Sequence, residues 1–110
     1  MIFFASSDYA PNASGYFQNE GKKLKVNEIK LDDFVEKFKL EKLNFIKADI
    51  EGMERCLLKG AERTIKKFRP KIVICIYHRK DDPELIERMI KTFVSDYKII
   101  KTDYKLYAWV

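Results

Sequence analysis

The sequence predicts an α/β fold on a mostly parallel sheet, and three observations carry that expectation. Apolar runs alternate with amphipathic stretches, the order expected of βα units. The run Ile72 to Tyr77 (IVICIY) is apolar on both faces, as in a parallel strand covered on both sides. From Phe45 to His78 the chain reads as one β-α-β unit: a short apolar strand, carboxylates around one glycine, an amphipathic helix, Pro70 and a second apolar strand. Its acids Asp49, Glu51 and Glu54 fall at the carboxyl end of the first strand, the edge where open α/β sheets bind ligands.

Each element has a local reason. Ile2 to Ala5 is a short apolar run, read as an edge strand, and Ser6 to Lys23, rich in Ser, Asn, Gly and Tyr, is read as a long loop. Leu24 to Leu31 alternates with one slip, which predicts a short or bulged strand. Asp32 is placed to cap a helix from about Asp33 to Lys39, with Phe34, Val35, Phe38 and Leu40 supplying its apolar face. Phe45 to Ile50 is the first central strand. Met53 to Phe68 carries Met53, Leu57, Leu58, Ala61, Ile65 and Phe68 at helical spacing, so one helix is expected, with Gly60 inside it where its backbone approaches the sheet. Asp81 or Asp82 can cap the next helix, with Pro83 at its first position and Leu85, Ile86, Met89, Ile90, Phe93 and Val94 buried. Tyr97 to Lys101 and Lys105 to Val110 are too close to be anything but an antiparallel hairpin. The expected assembly has helices on both faces and the hairpin at one edge.

With 110 residues, the chain is large enough for one small domain. A hydrophobic fraction of 46% places it among globular proteins and not disordered ones. The net charge of +5 is spread along the sequence, so it reads as a lysine-rich solvated surface, with no nucleic acid expected as partner. No apolar run approaches the roughly 20 residues that span a bilayer, so no membrane partner is expected either. Cys56 and Cys75 lack CxxC spacing and read as reduced core thiols. Asn12-Ala13-Ser14 fits a glycosylation sequon, but nothing else points to secretion, and a cytoplasmic location is expected.

The run IKADIEGMERCLLKGAE resembles the signature of FkbM-type, S-adenosylmethionine-dependent methyltransferases, through Ile46, Lys47, Asp49, Glu51, Gly52, Glu54, Leu58, Gly60 and Ala61. IKLDDF upstream, RPKIVICIYH downstream and the final YKLYAWV are similar to other segments of that family. The resemblance implies the carboxyl-terminal part of a Rossmann-like class I methyltransferase sheet, with a seventh strand inserted antiparallel beside the fifth. It implies transfer of a methyl group from S-adenosylmethionine to an oxygen of a small molecule or glycan. It also exposes a departure. Such enzymes hold the cofactor on a glycine-rich loop after their first strand. Here Gly15, Gly21, Gly52 and Gly60 are the four glycines, and none opens a helix directly after an apolar strand in a GxG arrangement. The main cofactor-binding loop is therefore expected to be absent. Residues 1–110 read as one partial domain: 1–23 an edge strand and loop, 24–110 the FkbM-like region. A truncated chain, inactive alone, is the expectation. Strand Phe45–Ile50 would then have an open edge, inviting self-association.

The candidate catalytic residues are Asp49 and His78, the one histidine, each at the carboxyl end of a central strand. Asp49 could orient a substrate, accept a proton, bind a metal or cap the following helix through amides near Gly52. His78 could act as base, hydrogen-bond a substrate or lie on the surface. Glu51, Gly52, Glu54 and Tyr77 are candidates for lying near substrate or cofactor. The glutamates could equally serve the helix dipole, and Gly52 the backbone. Lys47 could form a buried ion pair or meet a substrate. No metal ligands are assigned among these residues. A second enzyme reading takes Asp49, Glu51 and Glu54 as magnesium ligands for phosphoryl chemistry. A third is a non-catalytic assembly or binding half-domain.

Overall fold

The computed structural model describes residues 29–110 with their side chains, and residues 2–6, 16–19 and 22–25 as backbone strands. The elements are β1 (Ile2–Ser6), β2 (Tyr16–Asn19), β3 (Lys22–Lys25), α1 (Leu31–Lys37), β4 (Phe45–Asp49), α2 (Glu54–Lys59), α3 (Glu62–Phe68), β5 (Lys71–Cys75), α4 (Asp82–Phe93), β6 (Lys98–Lys101) and β7 (Lys105–Trp109). They form an α/β fold on a mixed five-stranded sheet in the order β1-β4-β5-β7-β6. β1, β4 and β5 are parallel, and β7 lies antiparallel between β5 and β6. β2 and β3 form a separate antiparallel pair.

Strand alternation puts one set of side chains in the core. Ile46 pairs with Ile72 and Ile72 with Ala108; Ala48 pairs with Ile74 and Ile74 with Leu106. All six are buried, and they join Leu31 of α1, Leu58 of α2, Ile65 of α3, and Ile86 and Ile90 of α4 in one cluster. α1 packs beside α3, and α4 beside both α2 and α3, so the four helices form one layer. Among the described residues this corrects the expected two-sided cover. The opposite face carries Lys47, Asp49, Val73, Tyr107 and Trp109, which are half-buried or exposed. Its Cys75 is 3% exposed.

Several expected elements differ. The segment 6–23, read as loop, contains β2, and the strand expected over Leu24–Leu31 is replaced by the shorter β3 outside the main sheet. Slipped alternation cannot supply a continuous apolar face, so this segment pairs locally. The open edge expected on Phe45–Ile50 is filled: β1 pairs along β4 from Ile2–Phe45 to Ser6–Asp49. The premise for self-association at Phe45–Ile50, an unpaired edge there, is thereby removed.

The single helix expected over Met53–Phe68 is two. α2 stops at Gly60 and α3 starts after Ala61. Gly60 approaches Lys30 and not the sheet: a Cβ there would lie 3.1 Å from the Lys30 Cβ. The Asp32 amide donates to the Gly60 carbonyl at 2.8 Å. Asp32 does not cap its own helix, which begins at Leu31. Its carboxylate reaches across to α3, accepting from the amides of Arg63 (3.1 Å) and Thr64 (2.8 Å) and from the Thr64 hydroxyl (2.7 Å). It thus supplies the cap that Ala61 lacks. Burial pulls its carboxyl upward, but the Thr64 and Arg63 hydrogen bonds outweigh that and hold it below its ordinary value. At α4 neither Asp81 nor Asp82 makes the expected cap; both carboxylates bind Arg55 instead. Among the described residues no helix is long and apolar enough to cross a membrane.

Candidate functional site

The site grows from the turn after β4. Glu51 and Gly52 take φ of 56° and 93°, and the Met53 amide donates to the Ile50 carbonyl at 3.1 Å. Two successive left-handed residues inside such a turn are the type I′ arrangement, which favours glycine and strains a glutamate. Glu54, fully buried, offsets the strain. Its carboxylate accepts from the amides of Ile50 (2.8 Å) and Gly52 (3.0 Å). The spacing Asp49-x-Glu51-Gly52-x-Glu54 therefore has a backbone reason: glycine permits the turn and Glu54 locks it. Capping of the amides near Gly52, considered for Asp49, is done by Glu54.

β5 runs parallel to β4, so its chain leaves the sheet on the same edge and delivers Tyr77 and His78 over that turn. The His78 side chain is 11% exposed. Its Nε2 lies 3.8 Å from Asp49 Oδ1 and 3.6 Å from Glu51 Oε2, and its Nδ1 lies 3.5 Å from Glu54 Oε2. Asp49 Oδ1 and His78 Nδ1 are both buried without a hydrogen-bond partner. Asp49, Glu54 and His78 each offer a ligand atom within 4.8 Å of the other two. The half-exposed Tyr77 ring lies on the imidazole at a centroid separation of 4.1 Å, and Tyr104 meets Tyr77 edge-on at 5.9 Å. Among the expected site residues, Asp49, Glu51, Glu54, Tyr77 and His78 thus meet at one place. Gly52 shapes the turn beneath them.

The cluster makes its surroundings electronegative. Burial pushes the Cys75 thiol up to about 11, and the neighbouring Asp49 and Glu54 carboxylates add to the effect. The Tyr77 phenol is likewise raised, first by desolvation and then by the same acids.

Other contacts that the sequence did not show hold the frame. Arg55 on α2 donates from Nε to Asp82 Oδ1 at 2.6 Å and forms a second ion pair with Asp81. Asp82, 1% exposed, accepts from the Arg79 amide at 3.2 Å with its other oxygen. This chain of contacts ties α2 to the segment that carries His78. Partners 27 residues apart leave no periodic signal, so only the fold reveals them. Tyr104 is equally invisible, because it reaches the site by the antiparallel return of β7. A surface groove of about 590 Å³ lies elsewhere, between α1 and α3 near Val35, Leu40 and Phe68.

These features can now be set beside known proteins. A crystal structure of methyltransferase FkbM from Methylobacillus flagellatus KT is similar to this chain, with 30% sequence identity and a TM-score of 0.64. The similarity covers 86% of this chain and 26% of that one, so the chain spans about a quarter of that protein's length. No curated protein matches the chain. The family model of the methyltransferase FkbM domain matches residues 2–100. With nearly its whole length matched, the chain belongs to the FkbM methyltransferase domain family.

Proposed function

We propose that the chain supplies the acceptor-activating side of S-adenosylmethionine-dependent O-methyl transfer to a hydroxyl of a small molecule or glycan. Family membership supports the reaction class. The observation that carries the site is His78 Nε2 set between the carboxylates of Asp49 and Glu51 at the carboxyl edge of parallel strands. The fold is taken as the carboxyl-terminal part of a Rossmann-like sheet, and β7 lying antiparallel between β5 and β6 supports that reading. A cytoplasmic location is part of this reading.

The cofactor supplies an electrophilic methyl group when bound. Of the described glycines, Gly60 is closed off by Lys30, whose Cβ would lie 3.1 Å from an added Cβ, whereas at Gly52 the nearest atom is Arg79 Nε at 3.7 Å, an ordinary contact. What the site residues do is handle a proton. A hydroxyl must lose its proton as its oxygen becomes a nucleophile, and a base within hydrogen-bond reach accelerates that step. In neutral His78 with the proton on Nδ1, facing Glu54, Nε2 presents its lone pair to the acceptor. Asp49 Oδ1 orients the hydroxyl, and the carboxylates stabilise the imidazolium formed. Tyr77 and Tyr104 offer exposed ring surface beside the base, on which the apolar face of an acceptor can rest.

The test is calorimetric titration with S-adenosylhomocysteine, followed by methyl-transfer assays of the wild type and His78→Gln. The expected result is saturable binding and a rate at least about 100-fold lower in the variant, with cofactor affinity unchanged. Full activity in His78→Gln removes the base from this reading; no cofactor binding by folded protein removes the cofactor.

A further inference from the structure

We propose that Asp49, Glu54 and His78 form a site for a divalent cation, held by two carboxylate oxygens and one imidazole nitrogen. This goes beyond the proton-handling role and does not depend on methyl transfer.

Two independent observations meet here. The first is spacing. The three side chains offer ligand atoms within 4.8 Å of one another, and His78 Nδ1 lies 3.5 Å from Glu54 Oε2. A triangle of donors with such sides has its centre about 2.0–2.8 Å from each corner, the range of metal–nitrogen and metal–oxygen bonds to divalent ions. The second is satisfaction. Asp49 Oδ1 and His78 Nδ1 are buried and lack any hydrogen-bond partner. Buried polar atoms are rarely left this way, and orphaned atoms within one cluster of possible ligands mark a position for an ion or water. An anionic oxygen and an imidazole nitrogen freed of its proton are both electron-pair donors and suit a cation.

Glu54 adds preorganisation. Its oxygens already accept the Ile50 and Gly52 amides, so its orientation is set before any ion arrives. Each carboxylate oxygen has a further lone pair to offer. Binding an ion at Nδ1 selects the tautomer opposite to that of the ion-free base: the proton moves to Nε2, which faces Glu51 at 3.6 Å and can donate there, the outer contact that commonly orients a metal-binding histidine. One nitrogen and two oxygens are a borderline-hard donor set suited to Mn²⁺ and similar ions. Such an ion draws electron density from the imidazole, so ion and proton compete for the same ring.

Manganese is the probe, because thiols bind it weakly and the exposed Cys56 will not mislead. The chain has one histidine, so its imidazole proton resonances are unambiguous. During titration with Mn²⁺ those lines should broaden away below one equivalent, while the loss of free-ion electron-spin-resonance signal shows about one bound ion per chain. Asp49→Asn should weaken binding by at least about tenfold, and Glu62→Gln, on the exposed side of α3, should leave it unchanged. Imidazole lines that stay sharp to equimolar Mn²⁺ overturn the proposal, as does wild-type affinity in folded Asp49→Asn. The line-broadening test needs no variant, and neither readout requires methyl transfer, so the two readings fail separately.

Discussion

Glu54 shows how one side chain can serve both backbone and chemistry. It closes the turn after β4 through two amide hydrogen bonds and faces the His78 ring from a fully buried position. Glu54→Ala strands both amides, so it should lower stability by about 3–5 kcal/mol, read as a reduced urea midpoint. An unchanged midpoint would mean that the turn holds itself. The two thiols make a second residue-scale contrast. Cys56 is exposed, whereas Cys75 is buried beside the acids and pushed up to about 11. At pH 8, a disulfide reagent should therefore modify one thiol quickly and the second only when the protein unfolds. Fast reaction of both would contradict the buried placement. The presence of Asp49, Glu51, Glu54 and His78 was legible in the sequence because strand ends and apolar runs located them on one edge. Their division of labour was not, since it depends on side-chain directions set by the positive φ of Glu51 and Gly52.

At the scale of elements, the break between α2 and α3 depends on a residue from α1. Asp32 binds the carbonyl that ends one helix and the amides that begin the next. Asp32→Ala should cost about 1–2 kcal/mol, the usual worth of a helix cap, measured by denaturant unfolding. Its pH dependence follows from the lowered carboxyl. The folded-state pKa lies below the ordinary value of 3.8, so the stabilisation is complete above that value and is lost as pH falls through the folded-state one. The stability gap between wild type and Asp32→Ala should thus narrow below about pH 4. A gap independent of pH would mean the carboxylate's charge is irrelevant. Helical spacing over Met53–Phe68 could not show the break, because the apolar stripe continues through it and the interrupting contacts come from 28 to 32 residues away.

Over the whole molecule, the sheet concentrates stability in its middle. β5 is flanked by β4 and β7 and carries the fully buried Ile72 and Ile74. Its amides should exchange with solvent most slowly, and those of the edge strand β6 much faster, in native-state hydrogen exchange. Equal protection across both strands would count against this gradient.

The sequence by itself determined the α/β class, the β4-to-β5 unit and the closing hairpin, because each rests on local periodicity or fixed spacing, and its motifs resemble those of the family. Only the tertiary structure decided that β1 fills the edge of β4, that the four described helices lie on one face, and that Glu54 locks the turn facing His78. These outcomes depend on contacts between residues far apart in the chain. No window of sequence contains both partners, so their energies act only once the sheet has brought them together.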